Sequence, residues 1–201
     1  MKQEEYINSA QAFVFELDEV LFPEKDYWLQ VYYLFAQFIE YAEQIEAEGI
    51  IRFMEESYRT EGHSGIFEKT ALAFKLPDKY RINFDLLEKN AKLPLKLLLF
   101  APVLDFLKAI RAAEKPVFLL VNGDPAIQVN KIRQMEWNGL EQDLKVYFLS
   151  EMTNGYLEGI ERICSEHDLT RDDLLIVGKE KDGTDLVSLN QLKFLISKNL
   201  L

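Results

Sequence analysis

Apolar positions follow two different rhythms along the chain, and the first is helical. Between residues 24 and 93, apolar side chains recur every three or four positions, which predicts amphipathic helices. The clearest helix is predicted over Trp28–Ile45 with Asp26 as its cap, and others at about 49–60, 64–74 and 82–91. No strand-like run interrupts this stretch, so we expect an all-helical insertion over residues 24–93.

The second rhythm is an alternation of short apolar runs with helical patterns. Strands are predicted at Ala12–Asp18, Pro116–Asn122, Lys145–Ser150, Leu174–Val177 and, last and shortest, Leu192–Ser197. Helices are predicted at Pro102–Ala113, from Pro125 (capped by Asp124) to near Gly139, and at Tyr156–His167, with a Thr170 cap before the fourth strand. This alternation predicts an α/β core with a parallel sheet covered on both faces, built from residues 1–23 and 94–201.

Composition and charge narrow the classes of partner. The 201 residues carry 23 basic and 34 acidic side chains, a net charge of −11, which argues against binding nucleic acid or an anionic membrane over a broad surface. We expect neither a membrane span nor a signal peptide, because no apolar run is long enough and none follows a basic start. The single Cys164 excludes an intramolecular disulfide and suits a reducing cytoplasm. The chain has only two histidines, His63 and His167, in addition to this cysteine, so we do not expect a four-ligand zinc site.

Candidate chemistry follows the ends of the predicted strands. Ligands of such sheets bind beyond the carboxyl ends of the strands, where Glu16 and Asp18 follow the first strand. Two carboxylates at this spacing could hold a divalent cation, divide nucleophile and acid roles, or be ordinary solvated acids. Asn122 and Gly123 follow the second strand and could offer backbone donors to an anion at a helix N-terminus.

Three segments resemble the haloacid dehalogenase (HAD) superfamily of hydrolases. The segment FVFELDEVLFPEKDYW resembles the first motif, an apolar strand followed by D-x-D-x-[TV]-L. The segment FLLVNGDPAIQVNKI resembles the second motif, a strand that ends in [ST]-N-G, and LLIVG resembles the strand before the fourth motif. The resemblance implies a HAD-like, Rossmann-type parallel core that carries the helical cap of the dehalogenase and phosphoglycolate phosphatase subgroup.

The chain departs from this family at the positions that carry its chemistry. The resemblance places Glu16 at the nucleophile position and Asp18 at the acid–base position, Val121 where the family has Ser or Thr, and Leu157 at the family's Lys. Glutamate carries its carboxylate roughly 1.5 Å further from the backbone than aspartate. A misplacement of about 1 Å can cost on the order of 10²-fold in rate, so weakened or absent hydrolysis is expected.

The fourth motif is altered at its metal ligands. Lys179 replaces the first metal-binding aspartate, and the second corresponds to Asp182 or Asp185. We expect no cofactor, and Mg²⁺ held by Asp18 with Asp182 or Asp185 only if the site is active. Lys179 is expected instead to supply positive charge to Glu16 and Asp18.

The functional expectation is a catalytically degenerate HAD-like protein with a binding or regulatory role. The expected ligand is a small anionic metabolite at Asn122 and Gly123, and the aromatic cap helix is a candidate surface for homo-oligomers. The alternative is an active Mg²⁺-dependent phosphatase or dehalogenase-like hydrolase acting on a small phosphorylated or halogenated metabolite. A receiver domain is disfavoured, because its first and second strands would be joined by a far shorter connection.

Overall fold

The structure, a computed structural model, describes residues 3–178. The chain forms two compact units. Among the described residues, the core unit comprises residues 3–23, Leu98–Gln128 and residues 135–178, and the helical unit comprises Glu24–Leu97 and Val129–Gln134. The predicted strand at Leu192–Ser197 lies outside the described residues.

Four parallel strands form the centre of the core unit. They are β1 (Ala12–Phe15), β2 (Val117–Val121), β3 (Leu144–Phe148) and β4 (Leu174–Val177), arranged in the order β3-β2-β1-β4. Phe13 of β1 is in register with Val117 on one side and Leu175 on the other. The predicted α/β class with a parallel sheet is therefore confirmed.

The helices of this unit cover both faces of the sheet. They are α1 (Gln3–Ser9), α6 (Ala101–Ala112), the first turn of α7 (Pro125–Gln134) and α8 (Gly155–Glu166). Phe13 and Phe15 contact Phe106 of α6 with ring centroids 5.6 and 6.1 Å apart, whereas Val14 on the opposite face packs with Ile160 of α8. Every residue of β1, β2 and β4 is buried, which explains their unbroken apolar runs.

The helical unit contains the predicted helices and no strand among its described residues. Its helices are α2 (Lys25–Glu43), α3 (Ala47–Glu61), α4 (Ile66–Phe74) and α5 (Arg81–Asn90), with a 3₁₀ turn at Asp78–Tyr80. Helix α2 packs against α3 and α5 through the face that carries Trp28, Val31 and Phe35. The predicted face was too long, because Ala42 is exposed.

A polar cluster lies within the aromatic interior of the helical unit. The indole of Trp28 stacks on His63 with centroids 3.5 Å apart, and His63 Nε2 lies 2.6 Å from Glu88 Oε1. The ammonium of Lys131, which is fully buried, lies 3.0 Å from Glu24 Oε1, and the same oxygen accepts a hydrogen bond from Trp28 Nε1. The aromatic residues of α2 therefore pack against buried ionisable side chains as well as against one another.

Several predicted boundaries were wrong for identifiable reasons. Strand β1 ends at Phe15 rather than Asp18, because the chain turns sharply at Leu17–Phe22. Helix α7 ends at Gln134 rather than near Gly139, because at Gln134 the chain leaves the helix and its carbonyl accepts a hydrogen bond from Leu97 N at 3.0 Å. Asp26 lies within the first turn of α2 and is not its cap. Helix α1 has too few apolar positions to be predicted.

Across residues 3–178, we find no helix with the length and apolar character that crossing a membrane requires.

Candidate functional site

Glu16 lies at the carboxyl end of the central strand, against the backbone of β4. Its N–H donates to Val177 O at 3.0 Å, which continues the parallel pairing for one residue beyond β1. Its half-buried side chain occupies the space beside Gly178: a Cβ built on that glycine would lie 2.9 Å from Glu16 Cδ. Because Gly178 has no side chain, it leaves room for Glu16, whose side chain is longer than that of aspartate.

Asp18 is held by a glutamine that the sequence analysis did not identify. Gln128, 4% exposed, lies on the first turn of α7 and donates from Nε2 to Asp18 Oδ2 at 2.8 Å. The same nitrogen donates to the carbonyl of Asn122 at 2.8 Å. One amide thus joins the segment after β1, the end of β2 and α7. Its own oxygen, Oε1, is buried and accepts no hydrogen bond from the described residues.

The turn between β2 and α7 depends on glycine. Gly123 has a φ of +108°, and a Cβ there would lie 3.0 Å from Gln128 Nε2. Asp124 then accepts a hydrogen bond from Ala126 N at 2.8 Å, and α7 begins at Pro125. The predicted Asp124 cap and first-position proline are therefore confirmed.

Tyr156 adds a phenol to the surroundings of Glu16. It lies on the first turn of α8, and its hydroxyl is buried. Burial raises the pKa of Tyr156 well above its ordinary value, and the nearby Glu16 carboxylate raises it further. The phenol is therefore protonated at neutral pH. No sequence motif pointed to this residue, because its role depends on where α8 meets the sheet edge.

Solved structures with the same architecture extend over most of this chain. An L-2-haloacid dehalogenase is 14% identical, with 92% of this chain and 83% of that chain covered and a TM-score of 0.54. A Thermotoga maritima protein assigned as a β-phosphoglucomutase is 15% identical, with 95% and 96% covered and a TM-score of 0.58. The Bacillus subtilis protein YfnB, assigned as a HAD-hydrolase and solved with bound magnesium, is 10% identical, with 92% and 87% covered and a TM-score of 0.52.

The fold is HAD-like. At 10–15% identity, these similarities establish the architecture of the chain but not its activity. No protein-family model matches the sequence, and no curated protein is significantly similar to it.

Within the HAD-like fold, two positions expected to bind phosphate hold apolar side chains. Val121, at the end of β2, is 1% exposed and has no hydroxyl to donate. Leu157, which the resemblance is expected to place at the family's lysine, is half-buried on α8. Asn122 and Gly123 are exposed at the sheet edge, and their role in binding an anion stays a prediction.

The candidate carboxylates within the described residues are Glu16 and Asp18. Glu16 and Asp18 are two carboxylates, but no group of three or more His, Cys, Asp or Glu side chains within residues 3–178 could hold a metal ion. The amide N–H of Gln128 donates to Asp18 Oδ2 at 2.8 Å, so one oxygen of this carboxylate is engaged by a hydrogen bond. Lys179, Asp182 and Asp185 lie outside the described residues, and their predicted roles stay predictions.

The Cys164 and His167 pair has structural roles. Cys164 is half-buried at the edge of the core, and burial raises the pKa of its thiol. His167 stacks on Phe118 with ring centroids 4.6 Å apart, and its Nε2 lies 2.9 Å from the Tyr147 hydroxyl. These contacts account for both residues without a ligand.

Proposed function

We propose that this HAD-like protein binds a small anionic, hydroxyl-bearing metabolite at the carboxyl edge of its sheet, in a binding or regulatory role without Mg²⁺-dependent hydrolysis. The observation that carries the proposal is the Gln128 amide between Asp18 Oδ2 and the Asn122 carbonyl. A hydrogen bond donated to a carboxylate stabilises its ionised form. Asp18, at the acid–base position, is then held as an acceptor and is poorly suited to protonating a leaving group.

The remaining side chains support recognition better than catalysis. Gln128 Oε1 is a buried acceptor whose desolvation costs about 1–3 kcal/mol unless a donor reaches it, so a hydroxyl group of a ligand would satisfy it. Tyr156 is a protonated phenol beside Glu16, and burial keeps its pKa above the ordinary value. Glu16 and Val121 replace an aspartate and a hydroxyl whose loss costs orders of magnitude in rate.

Binding and turnover are measured on the same preparation. Thermal unfolding is followed with a panel of sugar phosphates that includes glucose 6-phosphate, and phosphate release is followed with p-nitrophenyl phosphate and Mg²⁺. We expect a rise in Tm with at least one sugar phosphate and no release above background. Gln128→Met should abolish the rise, whereas Gln37→Met, at an exposed position of α2, should retain it. Mg²⁺-dependent release that Glu16→Ala removes would overturn the proposal.

The second candidate is an active phosphatase or dehalogenase-like hydrolase that uses Glu16 and Asp18. It is favoured by the presence of both carboxylates at the sheet edge and by the enzymes that share the fold. A Mg²⁺-dependent phosphatase screen of the unchanged protein separates the two candidates, and a Glu16→Asp variant is measured alongside. If the replaced nucleophile were the sole defect, this variant would gain activity; we expect none, because Val121 and Leu157 still lack the polar groups.

A further inference from the structure

A fully buried phenol in the helical unit is hydrogen-bonded to a base. Tyr32 lies on α2, and its hydroxyl oxygen is 2.7 Å from Nδ1 of His63. Burial raises the pKa of Tyr32 well above its ordinary value. Three neighbours raise this pKa further: Tyr58, Glu88 and Glu24. The phenol therefore keeps its proton at neutral pH and does not lose it by simple ionisation.

His63 connects this phenol to a carboxylate. Its Nε2 lies 2.6 Å from Oε1 of Glu88 on α5, and an ionised carboxylate only accepts hydrogen bonds. In the neutral imidazole the proton is therefore on Nε2, and Nδ1 accepts the hydrogen bond from Tyr32. A proton that moved from Tyr32 to Nδ1 would create an imidazolium, which a charge-assisted hydrogen bond to Glu88 stabilises.

The surroundings of this trio favour the loss of an electron together with that proton transfer. Trp28 stacks on His63 with ring centroids 3.5 Å apart, so an imidazolium would lie against an aromatic face, which attracts cations. Before oxidation, the charge of the trio is the negative charge of Glu88. After Tyr32 loses an electron and its proton moves to His63, the trio is neutral overall. Electrostatic gains of this kind are larger in a protein interior than in water.

We propose that Tyr32, His63 and Glu88 form a site of proton-coupled one-electron oxidation, with a peroxyl radical as the oxidant. One electron leaves the phenol, and its O–H bond breaks as the proton passes to His63 Nδ1. The products are a neutral tyrosyl radical and an imidazolium paired with Glu88, while the peroxyl radical takes up the electron and a proton from solvent and becomes a hydroperoxide. The half-buried ring of Tyr58, with its centroid 6.2 Å from that of Tyr32, offers the electron an aromatic path. This activity does not depend on the proposed function.

The test oxidises the full chain with photogenerated tris(bipyridine)ruthenium(III), which removes single electrons, and follows the tyrosyl radical by electron paramagnetic resonance. We expect a radical in the unchanged protein that Tyr32→Phe removes. His63→Gln keeps an oxygen that can accept the hydrogen bond but cannot take up the proton at neutral pH. Formation of the Tyr32 radical should therefore slow by about 10²–10⁴-fold, the usual contribution of a positioned base. Glu88→Gln should slow it to a smaller extent, because the imidazolium loses a charged partner.

Tyr41→Phe is the matched control, because Tyr41 is 85% exposed on α2 and should leave the Tyr32 radical unchanged. Urea midpoints verify that each variant is folded. The unchanged protein gives a second readout: the radical should form more slowly in deuterium oxide, because a proton moves with the electron. An equal rate in the His63→Gln variant, or in deuterium oxide, would overturn the proposal. A radical that survives Tyr32→Phe, or an indole radical that Trp28→Phe removes, would do the same.

Discussion

Gly178→Ala tests whether Glu16 occupies the place that the structure gives it. A Cβ at this glycine would lie 2.9 Å from Glu16 Cδ and 3.2 Å from both Cγ and Oε1, so the carboxylate would have to move. Overpacking of a core costs about 1–3 kcal/mol, and we expect the lower part of that range here because the crowded atoms end a flexible, half-buried side chain. The substitution also removes unfolded-state freedom, which stabilises by about 0.4–1 kcal/mol. We expect a net destabilisation of about 1 kcal/mol.

The same substitution in a Glu16→Ala background separates the two effects. Without the glutamate side chain, the contact disappears and only the gain of about 0.4–1 kcal/mol remains. Gly178→Ala should therefore change from destabilising to stabilising, with a coupling free energy of about 1–2 kcal/mol. The free energy of unfolding in urea is measured for the unchanged protein, the two single variants and the double variant. Equal m-values verify that these free energies can be compared.

Gly49→Ala provides the control for this cycle. Gly49 lies on α3, where a Cβ would be 3.6 Å from the Phe74 ring, which is ordinary contact. Helix propensity predicts a stabilisation of about 0.5–1 kcal/mol, the same with and without Glu16. An identical effect of Gly178→Ala in both backgrounds would show that Glu16 points elsewhere and would refute the reasoning.

Two further substitutions probe the frame of the core unit. Gly159→Ala should lower the urea midpoint despite better helix propensity, because its Cβ would lie 2.7 Å from Leu120 Cδ1; a higher midpoint would mean that α8 lies further from the sheet. Hydrogen bonds from Thr170 hold the pKa of Asp173 below its ordinary value of 3.8, so this carboxylate stabilises the fold above that pH and the contribution is lost on acidification. Thr170→Val should raise the pKa of Asp173 in an NMR titration and reduce the stability that this carboxylate contributes above its pKa. An unchanged pKa would show that the Thr170 hydroxyl does not hold the Asp173 carboxylate.

Local patterns were sufficient to predict most of the fold. The buried strands and the amphipathic helices have periodicities of their own, so β2, β4 and α2 were found within a few residues. Boundaries failed where contacts distant in sequence decided them, as at Gln134, whose carbonyl accepts a hydrogen bond from Leu97 N. The parallel order of the strands followed from their alternation with helices.

The candidate site was predicted only where a residue follows a strand. Glu16 and Asp18 were found in this way. Gln128 and Tyr156 were missed because each belongs to a helix whose sequence has no motif, and each reaches the site through the packing of that helix on the sheet. The role of Gly178 likewise depends on a neighbour that is distant in sequence.

The position of β1 at the centre of the sheet has a consequence for how the chain folds during synthesis. Phe13 pairs with Val117 and with Leu175, both of which leave the ribosome long after β1 itself. Helix α2 packs against α3 and α5, so the contacts of the helical unit are available much earlier. During that interval both edges of an apolar strand remain unpaired, which invites pairing with other chains. A nascent chain stopped before β4 is therefore expected to aggregate and to depend on chaperones.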